Sequence, residues 1–341
     1  MPISLNDYAS LIKDQMAQGL FMNMQRANDV LKIFPVVEVG ALVVRGSRWD
    51  VLPSHNFRKL NADFSESTGS LKPVEDKLAI YGGKFSEDEA FEQLKNELFR
   101  DPVEQQFAMH AKAVERGLMQ HLINGDIDTE PDGFDGLYKR LSDTDYFASA
   151  QTISANPSAP TDSLKVLASA ANAQTFFGQL DEAIYQAGLY GVPEAGVPKG
   201  ALLMNKASYL GIQKAARLAS YSLYVRDLLG YTWNTYRDLP MIDVGLQRDK
   251  ATEIIGDVYA SGDGGLDSSR IYVVRFSEPD GNIESPGSDG LTLVQAGPLR
   301  RLGPIASLTS REWGMEWIVG LAHVGDEYCV SMLEDFKMAA S

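Results

Sequence analysis

The acidic stretch that follows residue 125 is the part of the chain most suggestive of ion binding. In the segment DIDTEPDGFDGL, from Asp126 to Leu137, acidic residues recur at alternate positions. A calcium loop of the EF-hand type also needs Gly at its sixth position and a bidentate Glu at its twelfth. Pro131 and Leu137 occupy those positions here. We therefore interpret the stretch as a solvated turn and predict no metal site.

Two glycine-rich segments are candidates for holding phosphate groups. YGGK at 81–84 and SGDGGLDSS at 261–269 both lack the Lys followed by Ser or Thr that a phosphate-binding loop requires. Both segments are predicted to be turns, and no cofactor is predicted.

The histidines and the single cysteine do not form a catalytic or metal-binding pattern. His110 and His121 belong to one predicted helix, and their spacing at ~1.5 Å per residue places them roughly 16 Å apart, too far to share a metal ion. These two, together with His55 and His323, are expected to be exposed or to lie at interfaces. Cys329 is expected to be a buried thiol. No G-x-S-x-G motif is present, so no catalytic residue is predicted and an enzyme is not expected.

Trp313 and Trp317 are candidates for stacking on nucleic-acid bases. Their neighbours are Glu312 and Glu316, whereas a stacking platform needs basic residues around the rings. Both tryptophans are therefore predicted to anchor a core. The formal net charge of -15 and the pI near 4.7 agree, because a surface that grips phosphate backbones needs clustered Lys and Arg.

The composition is typical of a soluble globular protein made in a reducing cytoplasm. Of the 341 residues, 44% are hydrophobic, which is ample for a core. No run approaches ~18 apolar residues, so no membrane span is predicted. The polar N-terminal sequence MPISLNDYASLIKDQ does not resemble a signal peptide.

The longest predicted element is a helix over 102–123. Asp101 occupies an N-cap position, Pro102 the first helical position, and Glu104 completes a capping box. At ~1.5 Å per residue the helix is roughly 33 Å long. The stripe predicted to face the core comprises Val103, Phe107, Ala111, Val114, Leu118 and Leu122, whereas Lys112, Glu115, Arg116 and Gln120 lie off it.

A strand over 312–323 matches this helix in length. Its alternate residues from Trp313 to Leu321 are apolar, which predicts one buried face. At ~3.3 Å per residue the strand spans about 40 Å, twice the usual length. We expect the helix and the strand to lie side by side as an elongated slab made from both ends of the chain.

The segment 34–53 is rich in Val and Trp, and 72–85 is predicted to pair back against it. Residues 54–71 between them form a polar tract, and loops of that length are usually functional or pack on another chain. Two strands cannot bury both faces, so this projecting hairpin would be marginal alone. Residues 1–33 are predicted to be an arm that lies on something else.

The remaining elements predict a compact α/β or α+β lobe over 131–267. Outside this lobe, before the long helix, a capping box at Ser86 and Glu89 predicts a helix to about Arg100. Within the lobe, Thr161 or Asp162 is expected to begin a second helix that continues to about Tyr190. The buried face of the second helix is predicted to comprise Leu164, Leu167, Ala168, Ala171, Phe176, Leu180 and Ile184. Strands are predicted at 201–205, within 231–245, at 269–276 and at 291–297, with a helix capped by Asn205 and an exposed loop at 256–269.

This order of parts resembles the tailed-phage major capsid protein with the Hong Kong 97-like fold, which bacterial encapsulin shells share. The 34–85 hairpin takes the place of the family's E-loop and the 102–123 helix that of its spine helix. INGDIDTEPDGFDGL at 123–137 is similar to the linker from the spine to the axial domain. RDLPMIDVG, SRIYVVRF and EWIVGLAHVGDEYCVSM are similar to the return path into the peripheral domain, so the resemblance covers nearly the whole chain.

The resemblance implies an α+β fold with five parts. These are an N-terminal arm at 1–33, an E-loop hairpin at 34–85, a peripheral domain with the spine helix at 86–130, an axial α/β domain at 131–267, and peripheral return strands with a C-terminal tail at 268–341. It also implies a virion shell subunit, assembled in the host cytoplasm as pentamers and hexamers around double-stranded DNA, without sequence-specific binding and without a membrane. Because the arm begins near Met1, the expected partners are a separate scaffolding protein or none, a portal and possibly a decoration protein.

Some members of the family cross-link an E-loop Lys to a neighbour's Asn with a Glu as base. Lys59 and Lys72 lie in the hairpin, but no partner Asn or Glu can be assigned, so no cross-link is predicted. Two alternatives to a phage capsid stay open. One is an encapsulin-like nanocompartment that encloses a protein cargo, and the other is an α/β enzyme with a site in the 131–267 lobe.

Overall fold

The secondary structure is that of a mixed α+β protein. The computed structural model describes residues 28–88, 102–142, 151–158, 163–189, 198–228, 231–256, 258–259, 267–277, 290–306, 309–324 and 329–338. The helices within these ranges are α1 (Asp29–Ile33), α2 (Pro102–Asn124), α3 (Leu137–Ser142), α4 (Ala170–Gln186) and α5 (Lys206–Ala219). The strands are β1 (Val36–Glu38), β2 (Val43–Val51), β3 (Ser70–Lys77), β4 (Ala79–Asp88), β5 (Thr152–Ser154), β6 (Leu164–Lys165), β7 (Gly200–Met204), β8 (Tyr224–Leu228), β9 (Tyr231–Tyr236), β10 (Leu239–Asp243), β11 (Val258–Tyr259), β12 (Asp267–Arg275), β13 (Gly290–Gln295), β14 (Arg300–Ala306), β15 (Ser310–Val324) and β16 (Val330–Lys337).

Strand β15 organises a five-stranded sheet. It pairs antiparallel with β4 along one edge and with β13 and β14 along the other, and β1 adds in parallel to β13. Its 15 residues span about 50 Å at ~3.3 Å each. Met315, Trp317, Val319 and Leu321 are all buried. The predicted long strand is therefore confirmed, and its buried face is confirmed from Met315 to Leu321, whereas Trp313 is half-buried against the core.

Helix α2 lies along β4 and β15 and runs antiparallel to β4. Near the start of the helix, the ring of Phe107 lies 4.9 Å from that of Phe85 and 5.6 Å from that of Trp313, measured between centroids. Near its end, the His121 ring lies 5.6 Å from that of Tyr81. The predicted helix and its place beside the long strand are confirmed. Five residues of the predicted stripe are buried, namely Phe107, Ala111, Val114, Leu118 and Leu122.

A nine-stranded sheet forms the second layer, in the order β5-β16-β12-β7-β10-β9-β8, with β6 beside β16 and β11 beside β12. Leu202 and Met204 of β7 pack with α4 and α5, whereas Ala201 and Leu203 join the core beneath α2. A strand buried on both faces is apolar throughout, as β7 is. The predicted lobe ends at residue 267, whereas β12 begins at that residue and β16 lies beyond it. Strand pairing in this sheet therefore crosses the predicted lobe boundary.

Strands β2 and β3 form a two-stranded ribbon that joins neither sheet. They pair antiparallel from Val43 and Lys77 to Val51 and Ser70. Among the described strands, neither pairs with any other. The predicted hairpin is present over these residues, whereas β4, which was expected to continue it, pairs with β15 instead.

Two predictions about β4 are wrong because long-range pairing overrides local signals. Ser86 does not cap a helix, since it pairs with Glu312 of β15. Tyr81–Lys84 is strand rather than turn. Gly82 is needed there, because a Cβ atom at this position would lie 2.1 Å from the Met315 carbonyl oxygen. Glu89 and the rest of that predicted helix lie outside the described residues.

Helix α4 begins later than predicted. Ser169 caps it by accepting a hydrogen bond from the Asn172 backbone N–H at 3.1 Å. Leu164 and Leu167 precede the helix, in β6 and in a 3₁₀ turn over Val166–Ala168. Of the remaining predicted face, Phe176, Leu180 and Ile184 are buried, whereas Ala168 and Ala171 are exposed. Thr161 and Asp162 lie outside the described residues.

Helix α5, one residue of α2 and the segment 256–269 differ in how far they follow the predictions from the sequence. Asn205 caps α5 as predicted, accepting from the Ser208 N–H at 2.9 Å. Glu115 was predicted to lie off the buried stripe of α2, but it is buried, and its Oε2 lies 2.9 Å from Lys112 Nζ. The predicted loop at 256–269 contains strand residues at both ends, since β11 pairs with the start of β12.

Gly117→Ala tests the register between α2 and β4. The new methyl group would lie 1.7 Å from the Tyr81 hydroxyl oxygen, so the Tyr81 ring must move. We expect urea unfolding to show a loss of about 1–3 kcal/mol, despite a gain in helix propensity of about 1 kcal/mol. The control Gly178→Ala in α4, where nothing lies within 4 Å of the added Cβ, should gain about 0.5–1 kcal/mol. Equal stabilities for the two variants would contradict this packing.

Candidate assembly interface

The outer part of the ribbon exposes large apolar side chains. Residues 51–70 are all exposed, and Phe57 and Leu60 are 108% and 90% exposed. The other exposed large apolar residues of the ribbon are Val51, Leu52, Phe64 and Leu71. Several exposed large apolar side chains within one segment are typical of an interaction site. These residues were not predicted as an apolar set, because 54–71 was interpreted as a polar tract. Phe57, Leu60 and Phe64 nevertheless follow one another at spacings of three and four.

Hydrogen bonds across the ribbon continue beyond its paired strands. The Ser54 N–H donates to Ser67 Oγ at 2.9 Å, and Asn56 Nδ2 donates to Ser65 Oγ at 2.9 Å. These bonds order the segment before any partner binds. The entropy lost when a partner covers it is correspondingly smaller.

A tight turn closes the tip of the ribbon. The Ala62 N–H donates to the Lys59 carbonyl at 3.1 Å, and Asn61 adopts a left-handed conformation with φ of 64°. The Arg58 guanidinium lies 5.2 Å from the Phe64 ring centroid. The tip is therefore apolar and carries charged side chains of both signs.

The root of the ribbon is held by a buried ion pair. Arg140 Nη2 lies 2.7 Å from Asp76 Oδ1, and the His323 backbone N–H donates to Asp76 Oδ2 at 3.0 Å. Arg140 also donates to the carbonyl oxygens of Leu321 and Asp135, at 2.8 and 2.9 Å. No sequence pattern predicts this cluster, because its members are far apart along the chain.

A cavity of about 360 Å³ opens between β4 and the turn after α2. Its lining includes Ile80, which is 62% exposed, and the ring of Tyr81. His121 Nδ1 lies 3.2 Å from Glu130 Oε2, and Asp132 adds a second carboxylate. This surface is therefore both apolar and acidic.

A second cavity, of about 600 Å³, lies between α1, α5 and the β8–β9 strands. Burial raises the pKa of Asp243, whose Oδ1 accepts from the Gly245 N–H at 3.0 Å. The Lys32 ammonium lies 4.8 Å from the Tyr231 ring centroid and pairs with Asp29. Its lining contains neither His nor Cys.

The acidic stretch after α2 is folded as a turn. Asp126 and Asp128 both pair with Lys139 and raise the pKa of its ammonium group, Asp128 more strongly. Asp135 accepts from the Ile127 N–H at 3.0 Å. No cluster of three or more metal-ligating side chains occurs in the part of the chain that the structure describes.

Cys329, Trp317 and His110, which were considered as candidates from the sequence, are all packed against other residues of the chain. Cys329 is fully buried, as expected. Trp317 is a core residue whose Nε1 donates to Gln295 Oε1 at 3.0 Å. His110 stacks on Phe85 at 4.9 Å. No helix among the described residues is long and apolar enough to cross a bilayer.

Comparisons of sequence and of structure give different results. No protein-family sequence model matches the chain, and no curated protein sequence matches it. Solved structures match over most of its length. The SrpI encapsulin from Synechococcus elongatus PCC 7942 has a TM-score of 0.57 at 14% identity, covering 91% of this chain and 87% of the encapsulin chain.

Capsid proteins match equally well. The capsid of the native GTA particle has a TM-score of 0.55 at 14% identity, covering 96% of this chain and 92% of that chain. The capsid of Myoviridae phage XM1 has a TM-score of 0.52 at 12% identity, covering 88% and 90%. The chain therefore has the fold shared by phage capsid proteins and encapsulin shells, which confirms the resemblance at the level of fold.

Phe57→Ala and Phe107→Ala separate surface from core. Phe57 touches solvent on all sides, so its truncation should change the free energy of unfolding by less than about 0.5 kcal/mol. Phe107 is 1% exposed, and its truncation should cost about 3–5 kcal/mol. Urea unfolding of the unassembled chain measures both. A cost above about 2 kcal/mol for Phe57→Ala would show that the ribbon tip packs on its own subunit.

Proposed function

We propose that this chain is the major capsid protein of a tailed phage, which assembles as pentamers and hexamers into the shell around double-stranded DNA. The observation that carries the proposal is the ribbon over 43–77, whose apolar tip no part of the described chain covers. The shell fold supports the same role, because structurally similar proteins form capsids and an encapsulin.

The energetics favour coverage of the ribbon by a neighbouring copy. Burying one large apolar side chain contributes about 1.5–3 kcal/mol, so Phe57, Leu60 and Phe64 together supply ~4–9 kcal/mol before the costs of association. The cavity lined by Ile80 and Tyr81 offers apolar surface of this kind on a neighbouring copy.

The proposal keeps the division into arm, E-loop, peripheral domain and axial domain. Sheet pairing supports one adjustment, in which β12 and β16 are counted with the axial domain. A scaffolding protein, a portal and a decoration protein are included as partners, and they are carried by the family resemblance alone. The net charge of -15 suits a shell that encloses DNA without gripping it. The proposed location is the virion, after assembly in the host cytoplasm.

An encapsulin-like nanocompartment is the second candidate, supported by the SrpI match. The two roles share the fold and differ in content. Ultraviolet absorbance and gel analysis of purified native particles distinguish them, since dense DNA supports a virion and a protein filling supports a compartment. The enzyme alternative has weaker support, because the structurally similar proteins are capsids and an encapsulin shell.

The assembly test uses the purified protein and one tip variant. Wild-type protein should form closed particles visible by electron microscopy and eluting in the void volume of a size-exclusion column. Phe57→Ser combined with Leu60→Ser should raise the concentration needed for assembly at least about tenfold, since each 1.4 kcal/mol lost per contact is tenfold.

The control for this test is Glu66→Ser, which changes an exposed ribbon residue without removing apolar surface. It should assemble like the wild type. A well-folded wild-type monomer at every concentration would contradict the proposed function. Normal assembly of the double variant would contradict the role of the tip.

A further inference from the structure

The buried pair of Asp76 and Arg140 lies where the ribbon leaves the body of the subunit. Asp76 is the penultimate residue of β3, and it is 3% exposed, while Arg140 of α3 is 1% exposed. The pair is separated by 64 residues in sequence, and His323 of β15 completes the cluster from 247 residues away. Three separate segments of the chain therefore meet at one carboxylate.

Stability alone does not explain a charged pair at this position. Removing two charges from water costs several kcal/mol per ion, and apolar pairs of similar volume often stabilise a protein equally well. A charged pair differs in being directional. Both carboxylate oxygens of Asp76 accept a hydrogen bond, and Arg140 additionally donates to two backbone carbonyls, so only one relative orientation satisfies all partners.

The apolar contacts at the root are less directional. Val44 and Leu78 pack with a small cluster around Val294 and Ala322. One backbone hydrogen bond, from the Leu78 N–H to the Leu42 carbonyl at 2.9 Å, closes the base of the ribbon. Such packing resists separation, but it resists rotation of the ribbon less than a hydrogen-bonded ion pair does.

The partner that holds Asp76 is itself anchored from the other side. Arg140 belongs to α3, and the neighbouring Tyr138 lies beneath the Arg270 guanidinium of β12, 4.4 Å from the ring centroid. Arg270 Nε in turn lies 3.6 Å from Oε2 of Glu334 in β16. Helix α3 therefore links the ribbon root to the nine-stranded sheet.

Geometry makes the angle at the root consequential. From Asp76 to Leu60 the ribbon extends up to about 50 Å at ~3.3 Å per residue. A rotation of roughly 10° at the root therefore displaces the tip by about 9 Å, comparable with the ~10 Å spacing of packed sheets. A displacement of that size moves the apolar tip from one site on a neighbour to another.

We infer that the Asp76–Arg140 pair is a positioning device that fixes the angle of the ribbon and thereby the uniformity of assembled particles. Asp76 and Arg140 are positioning residues that act through the ribbon and do not themselves contact a neighbour. The inference rests on the proposed shell function for its effect on particles. Its effect on the angle belongs to the single chain and is measurable without assembly.

The first measurement is the angle itself. Spin labels at Phe57→Cys and Gln105→Cys report the distance from the tip to α2, and the native Cys329 is buried and does not label. Asp76→Leu combined with Arg140→Met should at least double the width of the distance distribution. Arg45→Met with Glu75→Leu removes an exposed ion pair on the same ribbon and should leave the width unchanged.

Stability is measured in parallel. Arg140→Met alone leaves Asp76 charged and buried, and it should lower the folding equilibrium constant at least ~100-fold, whereas the apolar double variant should stay within about tenfold of the wild type. Arg140→Lys retains the charge but has a single donor nitrogen, which cannot occupy the separate positions of Arg140 Nε and Nη2. It should fold and still broaden the distance distribution, so the inference stays testable if the double variant fails to fold.

The second measurement is particle diameter by electron microscopy. Wild-type protein and the Arg45→Met/Glu75→Leu control should give one narrow size class, and the Arg140→Lys and double variants should give several classes or open sheets. Unchanged widths in both the distance and the diameter distributions would overturn the inference. If the wild type forms no particles, the proposed function fails while the spin-label result still decides the question of the angle.

Discussion

A two-stranded ribbon in water can bury at most a small part of its apolar surface, and this constraint governs the architecture of the subunit. The ribbon over 43–77 carries Phe57 and Leu60 almost fully exposed. The body beneath it is of the opposite kind, with β15 at the centre of one sheet and β7 buried on both faces in the other. The described chain therefore combines a well-packed body with an extension whose apolar tip none of the described residues covers.

The body gives the extension a fixed base. Helix α2 packs along β4 through aromatic contacts at both ends, from Phe85 and Phe107 to Tyr81 and His121. Glycines make this packing possible, since both Gly82 and Gly117 lie where a Cβ atom would collide with a neighbour. At the ribbon root, hydrogen bonds to Asp76 add direction to the packing. The packed base and the uncovered tip are the two features on which the proposed assembly depends.

Sequence patterns predicted the elements whose signal is periodic and long. The α2 stripe and the alternation along β15 needed no tertiary information, and their mutual arrangement followed from matched length. Prediction failed where a local motif had two meanings. Ser86 has the spacing of a capping box, yet it pairs with Glu312 in a strand, and Tyr81–Lys84 has the glycines of a turn, yet it lies in the same strand.

The candidate interface was predicted in outline and missed in its chemistry. The hairpin followed from two Val-rich segments around a long tract, but Phe57, Leu60 and Phe64 were not separated from the polar residues around them. The Asp76–Arg140–His323 cluster was not predictable, because each residue has an ordinary local context and the three belong to β3, α3 and β15, which are far apart along the chain. Sheet membership of β16 likewise depends on pairing with β5 and β12 from distant parts of the chain.

Hydroxyl-radical footprinting of the purified protein, below and above the concentration at which particles form, tests the central claim most directly. The account predicts that oxidation of Phe57 and Phe64 falls several-fold on assembly, because a neighbouring copy covers them, while the core residue Phe107 is protected in both states. Equal oxidation of Phe57 and Phe64 in free and assembled protein would contradict the account.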